Sequence, residues 1–132
     1  MNALPVFSIF VGAGLGALLR WWFGLALNAY FPTIPLGTLA SNLLGGYLVG
    51  LAAAYFTFKS TLPAEARLFI ITGFLGGLTT FSSFSSEVVT MFAREQFGWA
   101  FTTMGMHVFG SLALTALGMM TARWLLLGAA SL

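Results

Sequence analysis

The residues from Gly73 to Glu87, GFLGGLTTFSSFSSE, lie inside an apolar segment that is long enough to cross a membrane. Three glycines, a Thr-Thr pair and four serines make this stretch a poor candidate for an uninterrupted helix in hydrocarbon. Lipid offers no hydrogen bonds to backbone groups, so irregular backbone at that depth persists only where it is buried in protein or lines a wet cavity. The stretch therefore predicts a helix broken between Gly73 and Thr80, and it favours a path for something polar.

Two phenylalanines follow the expected break. Phe81 and Phe84 are three residues apart and share a helix face, with the hydroxyls of Ser82 and Ser85 beside them. A phenyl ring is partially positive at its edge and partially negative on its face, so edge-on rings suit an anion and face-on rings suit a cation. The alternative is that the two rings simply pack in a core, and the spacing alone leaves both interpretations open.

The last apolar segment carries a polar stripe with a spacing of four residues, which places its members on one helix face. A sustained stripe of this kind predicts a role in lining a pore or an interface. His107 is the only histidine of the chain, which favours a hydrogen-bonded packing group over a metal ligand. The members are Thr103, His107, Ser111 and Thr115.

The first two apolar segments also repeat small and polar residues at every fourth position. The glycines among them predict close packing of membrane helices. Arg20 is a charge within a span, which indicates a role in attracting anions at a pore mouth, although a long cation can also extend to the membrane surface. Asn42 either bonds across helices or offers its amide N–H groups to an anion. The two series are Gly12, Gly16, Arg20, Gly24, Asn28 and Thr38, Asn42, Gly46, Gly50.

The whole composition indicates a membrane protein. Of the 132 residues, 59% are hydrophobic and 6% are charged, whereas a soluble domain carries roughly 25% charged residues. Four apolar segments each exceed the roughly 20 residues that a transmembrane helix needs. They predict one all-α domain over residues 1–132, with spans at about Leu4 to Leu27, Leu36 to Phe58, Leu68 to Phe92 and Phe97 to Leu127.

Several functions find no support in the sequence. There is no cysteine and no cluster of basic residues, which argues against thiolate chemistry and against a nucleic-acid partner. No combination of a nucleophile, a base and an orienting acid is present, so we expect no enzyme. Glu87, near the end of the third span, is expected to be a solvated helix-end charge rather than a partner of His107 or Arg20.

The distribution of positive residues predicts dual topology. Lys59, Arg67 and Arg123 fall on one side of a four-span protein and Arg94 on the other, which is a small bias in a chain of this length. Insertion in both directions would allow an antiparallel homodimer. Two broken helices would then meet near the bilayer centre, where four backbone carbonyls could hold a monovalent cation.

Three motifs resemble those of the small dual-topology fluoride channel family (Fluc, also called CrcB). They are GAGLGALLR at residues 12–20, GTLASNLLG at residues 37–45 and GFLGGLTTFSSF at residues 73–84. The third motif is specific, and the resemblance covers essentially the whole chain. Three positions depart from the usual family pattern, namely Ser41, Leu75 and His107.

The resemblance implies an antiparallel homodimer in the bacterial inner membrane, with two pores for passive, selective export of fluoride. Asn42 and the ring edges of Phe81 and Phe84 would contact fluoride, and Arg20 would lie at a vestibule. The carbonyls of Gly76 and Thr79 would bind one structural sodium ion on the dimer axis. Ser82, Ser85 and Thr115 would supply a track of hydroxyls.

Two other functions remain as alternatives. A small multidrug carrier shares the size and the weak charge bias, but such carriers need an acidic residue in the first helix, and this first helix has none. A non-transporting membrane assembly protein would explain the glycine repeats but not the pattern of phenylalanine and serine beside a helix break.

Overall fold

The computed structural model describes residues 2–59 and 61–128, and all the regular secondary structure in them is helical. Both ends of the domain predicted over residues 1–132 therefore lie outside the described residues. Four long apolar segments have the length and composition to cross a membrane, and the third of them is bent. The helices are α1 (Leu4–Leu27), α2 (Leu36–Phe58), α3 (Ala64–Arg67), the π-helix π1 (Leu68–Leu75), α4 (Gly76–Leu78), α5 (Phe81–Ala93) and α6 (Phe97–Gly128).

The third span, Ala64–Ala93, contains the break that the sequence predicts, but the break is shorter than expected. The backbone is extended only at Thr79 (φ −82°, ψ 153°) and Thr80 (φ −151°, ψ 110°). The prediction that the break begins at Gly73 is wrong, because Gly73, Gly76 and Gly77 all remain helical. In this helical form Gly73 and Gly77 place their bare backbone against α1, whereas Gly76 is exposed.

Helix α1 packs against π1 and α4 through glycines on both sides of the contact. A Cβ atom on Gly16 would strike the carbonyl oxygen of Phe74, and one on Gly77 would strike the carbonyl oxygen of Ala13. Gly14, on another face of α1, has no atom within 4 Å of such a Cβ. The predicted role of the fourfold glycine repeat in helix packing is confirmed for Gly12 and Gly16, the two buried residues of α1.

Helices α2 and α6 run in the same direction and form the other large contact. A Cβ on Gly50 would strike the carbonyl oxygen of Thr115, and one on Gly118 would strike that of Tyr47. This close approach turns the polar stripe of α6 inward, so that Thr103 and His107 are buried. The pairing of α2 with α6 sets Asn42 level with His107 and beside the break in the third span.

Most large apolar side chains lie on the outside of the four spans. Phe7, Phe10, Trp21 and Phe109 are among the exposed hydrophobic residues. Such a surface suits contact with lipid or with other hydrophobic protein surfaces.

Candidate functional site

A groove of about 500 Å³ opens beside the break and collects most of the residues that the sequence singled out. Its walls come from α2, the third span and α6. Seven of the predicted site residues line it, namely Asn42, Gly76, Thr79, Phe81, Phe84, His107 and Ser111.

Asn42 forms hydrogen bonds with both backbone groups of Thr80, which lies in the helix break. The Asn42 side-chain oxygen accepts from the Thr80 backbone N–H at 2.7 Å, and its side-chain nitrogen donates to the Thr80 carbonyl oxygen at 3.0 Å. Thr80 is only 9% exposed, and an unpaired buried backbone group costs about 1–3 kcal/mol. The amide therefore holds the extended backbone in place, which is the first of the two roles that the sequence left open for Asn42.

The second N–H of the same amide points at His107. The Asn42 nitrogen lies 3.0 Å from His107 Nδ1, and the imidazole is only 4% exposed. Both N–H groups of Asn42 are thus engaged within the chain. The other imidazole nitrogen, Nε2, is buried without a hydrogen-bond partner among the described residues.

The aromatic rings form a continuous series from the outside of the groove to this imidazole. Phe81 is 78% exposed and meets the buried Phe84 edge-on, with ring centroids 5.6 Å apart. Phe84 in turn lies 4.5 Å from the His107 ring at an angle of 30°. The two phenylalanines therefore share a face, as their spacing predicts, although only Phe84 belongs to the protomer core.

The predicted hydroxyl track is only partly assembled within one protomer. Ser111 lines the groove, whereas Ser82, Ser85 and Thr115 do not. The Thr115 hydroxyl lies 2.9 Å from the carbonyl oxygens of both Gly46 and Ser111, to which it can only donate.

Arg20 lies on the other side of the break, where it contacts the backbone of the third span. Its Nε donates to the Gly77 carbonyl oxygen at 3.1 Å. That oxygen lies in the last turn before the break, where helical acceptors lose their usual donors. Arg20 also lines a second cavity of about 370 Å³, together with Thr38, Thr80 and Ser83.

Thr80 and Ser83 are site candidates that the sequence reasoning did not select. The Thr80 hydroxyl accepts from the Ser83 backbone N–H at 3.1 Å, so Thr80 is the N-cap of α5. It also lies 3.3 Å from the hydroxyl of Ser82. The available signal was the threonine directly before the resumed helix, since threonine is a favoured N-cap residue.

The expectation of a solvated charge at Glu87 is wrong. Its Oε1 accepts a hydrogen bond of 2.5 Å from the Thr38 hydroxyl, and its Oε2 is buried without a partner among the described residues. Among the described residues, Glu87 forms no hydrogen bond with His107 or Arg20. The reason is that α5 turns this side chain inward against the start of α2.

The break also sets opposite helix ends side by side. The last turn of α4 exposes carbonyl oxygens, including that of Gly76, and the first turn of α5 exposes N–H groups. Neutral carbonyl oxygens suit a monovalent cation, and a helix N-terminus suits an anion. The carbonyl oxygens of Gly76 and Thr79 are therefore candidate ligands for a monovalent cation. No group of three or more His, Asp or Glu side chains among the described residues offers a competing metal site.

Comparison of the sequence with known proteins identifies the family to which the chain belongs. Residues 7–119 match the family described as "CrcB-like protein, Camphor Resistance (CrcB)". The chain belongs to the CrcB family. A protein of Burkholderia cenocepacia (strain HI2424) named "Fluoride-specific ion channel FluC" is 64% identical over 121 residues, which cover 91% of this chain and 94% of the relative.

Other relatives of this CrcB-family chain carry the same name. The protein of Nitrosospira multiformis is 59% identical over 125 residues, covering 95% of this chain and 98% of the relative. The protein of Burkholderia ambifaria (strain MC40-6) is 60% identical over 118 residues, covering 89% and 92%. Together with the four spans, these bacterial relatives identify a multi-pass bacterial membrane protein.

Proposed function

We propose that this chain is a fluoride-specific ion channel that lets fluoride leave the cell passively across the inner membrane. The observation that carries the proposal is the identity of 59–64%, over nearly the full length, to relatives named as fluoride-specific channels. The groove beside the break adds physical support, since its described lining residues offer amide, hydroxyl and imidazole groups and two phenyl rings, with no carboxylate among them.

The anion path in this proposal runs past the paired Asn42 and Thr80. The 500 Å³ groove lies on one side of Thr80 and the 370 Å³ cavity on the other, and Thr80 lines both. Phe81 and Phe84 present their edges in the groove, and Ser111 offers a hydroxyl there. Arg20 attracts the anion on the far side, where Thr80 and Ser83 add hydroxyls. Ser82, Ser85 and Thr115 extend this hydroxyl track.

The active unit is an antiparallel homodimer with two pores. In one protomer the groove is uncovered, Gly76 is exposed and Phe81 is 78% exposed. The carbonyl oxygens at the helix break would then face hydrocarbon, which offers them no hydrogen bonds. A second copy over the groove removes that penalty and brings phenylalanines from both subunits to each pore.

A structural sodium ion on the dimer axis completes the assembly. The carbonyl oxygens of Gly76 and Thr79 from each protomer would give it four ligands. A bound cation there would hold the two helix breaks together and offset the repulsion between carbonyl oxygens.

The path is tested by fluoride efflux from liposomes that contain purified Phe81→Ile or Phe84→Ile protein. Both variants should slow fluoride flux at least tenfold while the dimer remains intact, because isoleucine lacks the positive ring edge. Phe10→Ile is the matched control, since Phe10 is 76% exposed and lies outside the groove. Native flux in both groove variants would return the two rings to a packing role.

A further inference from the structure

The hydrogen bonds around Asn42 determine which nitrogen of the His107 imidazole carries the proton. Thr80 determines which way the Asn42 amide points. Its N–H can only donate, so it faces the side-chain oxygen, and its carbonyl oxygen can only accept, so it faces the side-chain nitrogen. The group that faces His107 Nδ1 is therefore an N–H donor. Nδ1 must then accept, so the neutral ring carries its proton on Nε2.

The same arrangement leaves no free donor on Asn42. One N–H goes to the Thr80 carbonyl oxygen and the other to His107 Nδ1, each at 3.0 Å. The Thr80 bond supports the broken backbone, whereas the His107 bond joins two side chains. An anion that accepts a hydrogen bond from Asn42 therefore most readily replaces the bond to His107 and leaves the bond to Thr80 in place.

We infer that His107 Nδ1 is a built-in competitor, which occupies the Asn42 donor until fluoride displaces it. The inference rests on the proposed function, and it makes His107 a specificity-determining residue rather than a passive packing group. The cost of this arrangement is a buried Nε2–H that has no partner among the described residues. The Phe84 ring, whose centroid is 4.5 Å from that of the imidazole, packs against it.

Competition of this kind favours fluoride over chloride. A hydrogen bond to an anion is roughly twice as strong as one between neutral groups, so an anion can outcompete the imidazole nitrogen. The gain depends on distance, because charge–dipole and Coulomb energies fall as the separation grows. Chloride is the larger ion and must stay further from the N–H, so it replaces the Asn42–His107 bond less effectively.

The variants His107→Phe and His107→Gln separate competition from packing. Phenylalanine keeps a ring against Phe84 but removes the acceptor, so the ratio of fluoride to chloride flux in liposomes should fall at least tenfold. Glutamine keeps an acceptor and should restore most of the ratio. A native ratio in His107→Phe protein, or an equal loss in both variants, would overturn the inference.

Solid-state NMR of the native protein in liposomes tests the same point without a mutation. The ¹⁵N spectrum of His107 should show an unprotonated Nδ1 and a protonated Nε2, and fluoride should shift the Nδ1 signal more than equimolar chloride does. A proton on Nδ1, or equal shifts with both anions, would refute the competition. Absence of fluoride flux in the native protein would instead refute the channel function, so the two failures are distinguishable.

Discussion

Asn42 is the single side chain on which the site most depends. It pairs with both backbone groups of Thr80 and with the imidazole of His107. A leucine of similar size would leave the buried Thr80 N–H without its acceptor and would remove one donor to the Thr80 carbonyl oxygen. An unpaired buried group costs about 1–3 kcal/mol, so the amide stabilises the protein whether or not it contacts an anion.

We expect Asn42→Leu to lower the melting temperature of the purified protein and to reduce fluoride flux at least tenfold. Thr57→Val is the control, because the Thr57 hydroxyl is exposed and donates to the Ala53 carbonyl oxygen of its own helix. That variant should change the unfolding free energy by no more than about 0.5 kcal/mol. Equal melting temperatures for the two variants would contradict the structural role of Asn42.

The sequence predicted the types of groups at the site better than their partners. The shared face of Phe81 and Phe84 followed from helical spacing. By contrast, the contact of Glu87 with Thr38 joins side chains 49 residues apart, and that of Asn42 with His107 joins side chains 65 apart. No local pattern encodes such pairs, because they depend on which helices become neighbours.

At the level of elements, the glycines and the break have different structural roles within the third span. Gly73 and Gly77 bring π1 and α4 against α1, while Thr79 and Thr80 carry the change of direction. The sequence predicted that the helix breaks, since glycine and threonine are poor helix formers. It could not locate the break, because a glycine that packs against a helix and one that ends a helix look alike in sequence.

Two alanine substitutions in α1 test the packing. Gly16→Ala should destabilise the protein by roughly 1–3 kcal/mol, the usual cost of overpacking, because the new methyl meets the Phe74 carbonyl oxygen. Gly14→Ala should leave stability equal or slightly higher, since its methyl meets open space and alanine favours helix by about 1 kcal/mol. Thermal unfolding in detergent measures both. Similar effects at the two positions would show that α1 does not pack as described.

At the level of the whole molecule, the uncovered groove supports the proposed dimer. The four spans and their boundaries were predictable from hydrophobicity alone, with the third span beginning four residues earlier than expected, at Ala64. The antiparallel dimer followed from the charge distribution and the family resemblance, and it stays a prediction. It depends on how the exposed Gly76 and Phe81 are covered, and we propose that a second, inverted copy covers them.

Gly76→Ala tests that assembly without disturbing the protomer. The nearest atom to the new methyl would be the Ile71 carbonyl oxygen at 3.8 Å, so the protomer accommodates it. In the proposed dimer the methyl intrudes where the partner's helix break approaches, and we expect the dimer to dissociate at least tenfold more readily. Gly98→Ala, which also points into open space, is the control. An unchanged dimer in Gly76→Ala protein would place the contact elsewhere.

Removal of sodium tests the proposed central ion. Prolonged exchange into a large organic cation should lower both fluoride flux and dimer stability, because the facing carbonyl oxygens of Gly76 and Thr79 would lose their shared cation. Return of sodium should restore both. Indifference of both measurements to the exchange would mean that the ion is unnecessary.

The central claim, that the chain conducts fluoride selectively, is tested most directly by efflux from liposomes that contain the purified native protein. Fluoride and chloride should be measured under equal gradients, with protein-free liposomes as the background. We predict rapid fluoride efflux and chloride efflux close to background. Folded protein that releases no fluoride, or that releases both anions at the same rate, would contradict the account.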